Sequence, residues 1–371
     1  MKTLSQKLII ASLLFSCLFN YILVATWNRQ FNYLRFVCAL LVAISMVEIS
    51  WAQKNILKSE FIYDTAPFPS CHASTIAETP RGLVTAWFGG TDEGHKDVGI
   101  WVSLVKNDKW MPPVEVATGI QNDSLRYPCW NPVLFQMPKA ELLLFYKVGP
   151  SPSKWWGMLS RSFDNGNTWS APEKLPEGIL GPIKNKPELL ADGRLICPTS
   201  SEHEGWRVHF ETTKDAGKTW QKSEAINDGK EYSAIQPSFI FLKNGDMKIL
   251  CRSKNNFVLE ATSKDKGLNW SQLTPTNLPN PSSGTDAVTL KNRKHLIVYN
   301  DRNWASRKTN EDRENLSLAV SKDGKNWRKI LVLENTPQEE FSYPAIIQTA
   351  DGKIHITYTW KREKIKHLVI N

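Results

Sequence analysis

The chain has 371 residues, 41% apolar and 11% aromatic, enough to bury a core and long enough for one large or two ordinary domains. Its formal charge of +9 divides into +3 from residues 1–52 (Lys2, Lys7, Arg29 and Arg35 against Glu48) and +6 scattered over the rest. Without a run of five basic residues the chain argues against nucleic acid and for a small anionic ligand, and Cys17, Cys38, Cys71, Cys129, Cys197 and Cys251 form no C-x-x-C pair of the zinc type.

Two apolar stretches open the chain, at about 8–26 and 36–47. The second follows Arg35 and precedes Ser50-Trp51-Ala52, a small-x-small pattern ahead of Gln53. Residues 1–52 therefore read as a hydrophobic leader of signal-peptide type, and 53–371 as one secreted or periplasmic domain. The stretch 8–26 is long enough to cross a bilayer, so it is either an anchor or sequence upstream of the true start. Membrane attachment is expected only if the leader stays uncleaved. Export permits disulfides among the four remaining cysteines without requiring them.

No amphipathic helical pattern follows residue 55. Fifteen Trp, 20 Gly and 21 Pro among short apolar runs point instead to strands and turns. A unit Ser-x-Asp-x-Gly-x-Thr-Trp recurs, at Ser162–Trp169, Thr213–Trp220, Ser263–Trp270 and, one residue shorter, Ser321–Trp327, with a worn copy ending at Trp110. The five Trp residues are 59, 51, 50 and 57 positions apart, a period suited to a four-stranded propeller blade. In each copy Asp accepts backbone hydrogen bonds across a turn, Gly supplies an unusual φ and Trp packs between sheets, so Asp164, Asp215, Asp265 and Asp323 read as scaffold.

A second repeat counts the blades independently. Turns followed by apolar runs occur at Arg81-Gly82, Ala140-Glu141, Asp192-Gly193, Asn244-Gly245, Asn292-Arg293 and Asp351-Gly352, six in all. The last stands only 19 residues from Asn371, too few for a whole blade, so a strand near Ile56–Tyr63 is expected to complete the final sheet. The reading is an all-β, six-bladed β-propeller behind a hydrophobic leader, expected as a monomer and calling for no cofactor and no metal.

Asp-boxes in a six-bladed count resemble the sialidase superfamily over about residues 56–371. That resemblance implies an arginine triad gripping the substrate carboxylate, a Tyr nucleophile paired with a Glu, an Asp acid/base and a second Glu steadying the first arginine. Tyr343-Pro344-Ala345-Ile346 is similar to the nucleophile segment, Arg252 to the second arginine and Arg313 to the third. Paired guanidiniums suit one carboxylate, because they give two charge-assisted hydrogen bonds each. Three positions depart from the pattern. His72 stands where the first arginine is expected, Thr359 where its Glu partner is expected, and Gln236 where the Glu beside the tyrosine is expected. The first two losses belong together, since a buried carboxylate without its arginine is costly. Gln cannot act as a base, so unmodified sialidase chemistry is expected to be impaired.

Candidate pocket residues follow at strand starts and ends. Asp92 or Glu93, ahead of Asp97, is the expected general acid; His72 and Tyr343 are the expected proton carriers. Trp130, Asn131, Lys184, Lys186, Glu202 and Asp286 are candidate substrate contacts beside Gln236, Arg252 and Arg313, with Trp87, Trp130 or Trp360 as an aromatic platform. The partner expected is an acidic oligosaccharide or polysaccharide. Three function classes are consistent with these residues: an exo-acting glycoside hydrolase on a terminal acidic sugar, a uronate lyase working through His72 and Tyr343, and a propeller that binds glycans without catalysis.

Overall fold

The computed structural model describes residues 56–302 and 313–371; the leader at 1–52, with its candidate anchor at 8–26, lies outside them. The described strands form six antiparallel blades. Blade one comprises Ser70–Thr79, Gly82–Gly90, Gly99–Lys106 and Val114–Ala117, with the short strand Lys109–Trp110 on its third strand. Blade two runs Cys129–Gln136, Leu142–Val148, Trp156–Ser162 and Glu173–Lys174. Blade three runs Glu188–Leu189, Leu195–Ser201, Arg207–Thr213 and Gln221–Lys222. Blade four runs Ala234–Phe241, Met247–Ser253, Phe257–Ser263 and Thr274–Pro279, and blade five Asp286–Thr289, His295–Asn300, Asn315–Ser321 and Trp327–Asn335. All six turns counted in the sequence join the first strand of a blade to its second.

Blade six closes the ring. Phe341–Gln348, Ile354–Trp360 and Lys364–Ile370 are completed by Ile56–Phe61, paired antiparallel with Glu60 opposite His367. Second strands are sandwiched by neighbouring sheets on both faces, which is why Leu142–Val148 is buried along its whole length. That strand includes Lys147, whose ammonium group donates to the Pro182 carbonyl.

The Asp-box turns bolt each blade to the one before it. In blade two, Asp164 accepts from the Thr168 amide at 2.8 Å and its hydroxyl at 2.7 Å, while Ser162 Oγ accepts from the Gly166 amide at 2.7 Å. Asp215 makes the same pair of contacts with Thr219, Asp265 with Asn269 and Asp323 with Asn326. The glycine is required at Gly267: its φ is +82°, and an added Cβ would stand 2.7 Å from Ile196 Cδ1 of blade three. The worn copy at Trp110 is a different object. There Asn107 and Asp108 take φ of 49° and 59°, a tight hairpin turn, and Trp110 donates to Glu60 of the closing strand at 3.0 Å. Cys71, Cys129, Cys197 and Cys251 are buried free thiols.

Candidate active site

Because every blade runs in the same order, the starts of the first strands and the connections between second and third strands share one face. The Asp-boxes and the six counted turns share the other. Bulges interrupt the inner strands of four blades near that first face, between His72 and Thr75, Trp130 and Val133, Ile235 and Ser238, and Ser342 and Ala345. At three of them one non-glycine residue takes a left-handed conformation: Ala73 at φ 58°, Gln236 at 54° and Tyr343 at 51°. Such residues cost of order 1 kcal/mol or more each, and bulges re-aim side chains. Here they turn Gln236 and Tyr343 toward one another across the ring axis.

Tyr343 is the hub. Its phenolic oxygen accepts from Arg252 Nη1 at 2.5 Å and from Gln236 Nε2 at 3.4 Å. The His72 ring lies 4.1 Å from the tyrosine ring, centroid to centroid, and Arg252 and Arg313 each place their guanidinium carbon 5.6 Å from the tyrosine centroid. Trp206 supports Arg252 from behind, 4.7 Å from its guanidinium carbon. The structure thus brings together Tyr343, His72, Gln236, Arg252 and Arg313, contributed by blades one, four, five and six.

A third guanidinium joins them that sequence reasoning missed. Arg362, in the three-residue turn before Lys364–Ile370, binds Glu340 Oε2 through Nε at 3.0 Å and Glu93 Oε2 through Nη1 at 2.6 Å. Glu340 also accepts from Arg313 Nη1 at 2.9 Å and from the Ser342 hydroxyl at 2.5 Å. Burial alone would raise the Glu340 carboxyl, but the two arginines outweigh it and hold it at about 2. Lys361-Arg362 and Glu339-Glu340 read as ordinary hairpin and loop charges, and only their pairing across the hairpin marks them. Thr359, at the expected glutamate position, instead accepts from the Ala73 amide at 3.2 Å, pinning the bulge beside His72.

Burial, followed by the charges of Arg362, Arg313, Arg252 and Lys184, drives His72 well below its ordinary value. The imidazole is therefore neutral, and its Nδ1 is buried without a partner among the described residues. Glu202, at the end of the second strand of blade three, is pushed up by burial against the pull of Arg252, with Trp206 and Glu93 near it.

Several sequence expectations are revised. Lys184, 3% exposed, donates to Asn185 Oδ1, Thr285 O and Pro344 O at 2.8, 3.0 and 2.6 Å, so its ammonium hydrogens are taken. Lys186 is bound to Asp286, which also accepts from Ser238 and the Ile346 amide. These three tie the inner strands together. Asp92 is exposed and caps its own loop through the Glu93 amide, and Glu93 is committed to Arg362, which leaves neither as a free proton donor. Asp97 is held by Thr91 and His95. Trp87 is fully buried on Tyr63 and Trp130 is 6% exposed, its indole donating to Gly149 O at 2.8 Å, so neither offers an open platform. Trp360 packs against Phe61 and Phe341, with Lys361 4.7 Å above its ring. Asn131 is buried beside Trp130 in the inner strand.

A six-bladed propeller with Asp-boxes on one face and a basic, tyrosine-centred site on the other is a protein of the sialidase superfamily. The chain belongs to the BNR repeat-like domain family, whose model matches residues 81–356. It is 24% identical over 230 residues to an anhydrosialidase from Macrobdella decora, covering 55% of this chain and 30% of that protein. It is 23% identical over 188 residues to a sialidase from Bacteroides fragilis, covering 45% of this chain and 32% of that one. The chain spans about a third of the length of these curated relatives. Among solved structures, a Dyadobacter fermentans protein of unknown function matches with a TM-score of 0.69 at 15% identity, over 85% of this chain and 99% of its own. The NanB sialidase of Streptococcus pneumoniae matches at 0.66 and 12%, over 84% and 70%. At such identities the structural likeness speaks to the fold.

Proposed function

We propose that the central site binds the carboxylate of a terminal acidic sugar and that the chain is an exo-acting glycoside hydrolase with an altered proton path. The observation that carries this is the convergence of Arg252 and Arg313, from different blades, on the ring of Tyr343, with Arg362 joined to Arg313 through Glu340. Three guanidiniums in a partly desolvated site have more positive charge than Glu340 and Glu93 neutralise, and a ligand carboxylate supplies the remainder.

Hydrolysis needs a nucleophile and a proton donor. Arg252 donates to the phenolic oxygen of Tyr343, the candidate nucleophile, at 2.5 Å. Gln236 cannot take the phenolic proton, and His72, whose ring centroid stands 4.1 Å from that of Tyr343, is the other proton-accepting group beside the ring, one whose charged form burial and the neighbouring cations disfavour. Glu202, whose carboxyl burial pushes up against the pull of Arg252, is the proposed donor to the departing glycosidic oxygen. A second reading has its own support: a neutral imidazole in a cationic site, with no carboxylate base at Gln236, equally suits proton abstraction beside a uronate carboxylate. We further propose, from the apolar leader and the pattern before Gln53, that the protein works outside the cytoplasm.

A release assay on mixed acidic glycans separates these outcomes. Free acidic sugar without ultraviolet absorbance identifies hydrolysis, an unsaturated uronate identifies elimination, and ligand binding with neither product identifies a binding propeller. Turnover and binding that both persist unchanged in Arg313→Ala would overturn the carboxylate clamp.

A further inference from the structure

The basic residues that are scattered along the chain are gathered in space. On the face opposite the central site, the turns and Asp-boxes of blades three, four and five (192–194, 213–220, 243–246, 263–270, 291–294 and 321–327) contain eleven Lys and Arg against five Asp. That excess of six positive charges equals the whole charge of residues 53–371, so the rest of the domain is balanced. The segments adjoin one another. Arg194 of blade three donates to the Lys266 carbonyl of blade four at 3.0 Å, Arg293 of blade five to the Leu242 carbonyl of blade four at 3.4 Å, and Lys291 of blade five to the Thr349 carbonyl of blade six at 3.1 Å. They make one continuous basic surface.

Little of this charge is used by the fold. Among the described residues only Arg194 of the eleven lies in an ion pair, with Asp192 at 2.9 Å, while Lys214, Lys218, Lys264, Lys266, Lys294 and Lys322 are exposed. The box aspartates are held by their own turns, as Asp265 is by Asn269, so their carboxylates do not reach out to these ammonium groups. Apolar side chains stand on the same face. The two most exposed large ones among the described residues are Phe163 at 76%, in the box of blade two, and Leu268 at 66%, two residues after Lys266 in the box of blade four. The chain also enters the propeller here: Ile56 pairs with Ile370, and Ile370 with Ile354, directly after the turn at Asp351-Gly352. The polypeptide carrying the apolar stretches at 8–26 and 36–47 is therefore joined to the domain at its Asp-box face.

We propose that this face rests on an anionic bilayer surface, held there by the N-terminal apolar polypeptide together with the lysines of blades three to five, with the central site turned toward the solution. An apolar attachment and a basic patch are the two signals that together give stable membrane association, each lysine near an anionic surface adding to the attraction. That attraction fades within a Debye length, so all three blades contribute only if the face lies flat on the membrane. A soluble polyanion would use the lysines but not the exposed Leu268 and Phe163, nor the apolar polypeptide that enters beside them. The orientation leaves the opposite face open to glycans, and it holds whatever chemistry the central site performs.

The test is flotation of the full chain with vesicles of phosphatidylcholine alone and of phosphatidylcholine with about 30% phosphatidylglycerol, at about 50 mM salt. The ratio of the two partition coefficients reads the electrostatic contribution. Lys264→Gln, Lys266→Gln and Lys294→Gln combined should lower that ratio by about 100-fold. Lys96→Gln, Lys154→Gln and Lys230→Gln combined, the same charge change at exposed positions on the opposite face, should move it by less than about threefold. The charges of the leader are common to all these proteins, so they do not affect the comparison. Acylation of lysines in the wild type, mapped by mass spectrometry, supplies a readout that needs no variant: anionic vesicles should protect Lys264, Lys266 and Lys294 and leave Lys154 and Lys230 reactive. Equal partition of the wild type into both vesicles, equal losses in the two triple variants, or protection on the opposite face would overturn the proposal. Protection of Lys264, Lys266 and Lys294 by dextran sulfate but not by anionic vesicles would also overturn it, in favour of a soluble polyanion.

Discussion

At the scale of single residues, the site is a charge arrangement built around one phenol. Arg362 shares Glu340 with Arg313, so Arg362→Ala should weaken binding of an acidic monosaccharide by about 10- to 100-fold, the range of one or two charge-assisted hydrogen bonds, with calorimetry as the check. Gln236 offers a sharper test. Its amide lies 3.4 Å from the Tyr343 oxygen, so Gln236→Glu places a carboxylate where it can take the phenolic proton. Hydrolytic turnover should rise by about 100-fold, the lower end of general-base effects; unchanged turnover would show that proton removal from Tyr343 does not limit the reaction. His72, Gln236, Arg252, Arg313 and Tyr343 could all be named from short motifs, because four sit on strands whose register the repeats define and Arg313 stands two residues before one. Arg362 and Glu340 could not. Their importance is a matter of which charges face each other across a hairpin, and sequence distance carries no trace of that.

At the scale of elements, the bulges and the Asp-boxes do opposite work. Bulges hold Gln236 and Tyr343 in conformations that disfavour folding locally, and the Asp-boxes stabilise the sheet contacts that overcome this. Gly267→Ala should therefore cost about 1–3 kcal/mol, through its left-handed φ and the collision with Ile196, read from the midpoint of urea unfolding. Asp-boxes were legible because an identical mechanical task recurs in blade after blade. The one at Trp110 had decayed too far to read correctly, since a two-residue hairpin needs only Asn107 and Asp108 to turn the chain and Trp110 is used for ring closure. Lys184, Lys186 and Asp286 show a related limit: a buried charge signals a partner, and here other inner strands supply partners that the sequence does not name.

At the scale of the molecule, closure by Ile56–Phe61 is pH-sensitive. His367 donates or accepts between Glu60 at 3.0 Å and His355 at 2.9 Å, beneath Trp110. Burial pulls His355 down to about 4 from an ordinary 6.5, and it pulls His367 down as well, against the opposing pull of Glu60. The unfolded chain therefore binds more protons than the folded one at His355 between those values, so the histidine contribution to stability is lost as pH drops from 6.5 through about 4, and carboxylates held low, Glu340 at about 2 among them, extend the loss below. The buried, neutral His72 adds to the same trend. Melting temperature measured across that interval should decline, and His355→Gln should flatten the decline; an equally steep loss in the variant would place the sensitivity elsewhere.

The sequence by itself determined the blade count, the strand that closes the ring and the sialidase-type tyrosine with two of its arginines, since these are local patterns repeated at fixed spacing or placed at fixed distances from a turn. Only the tertiary structure decided which charges are spent on scaffold and which face the site. Charge pairing depends on distances between blades, and those are set by packing rather than by order along the chain.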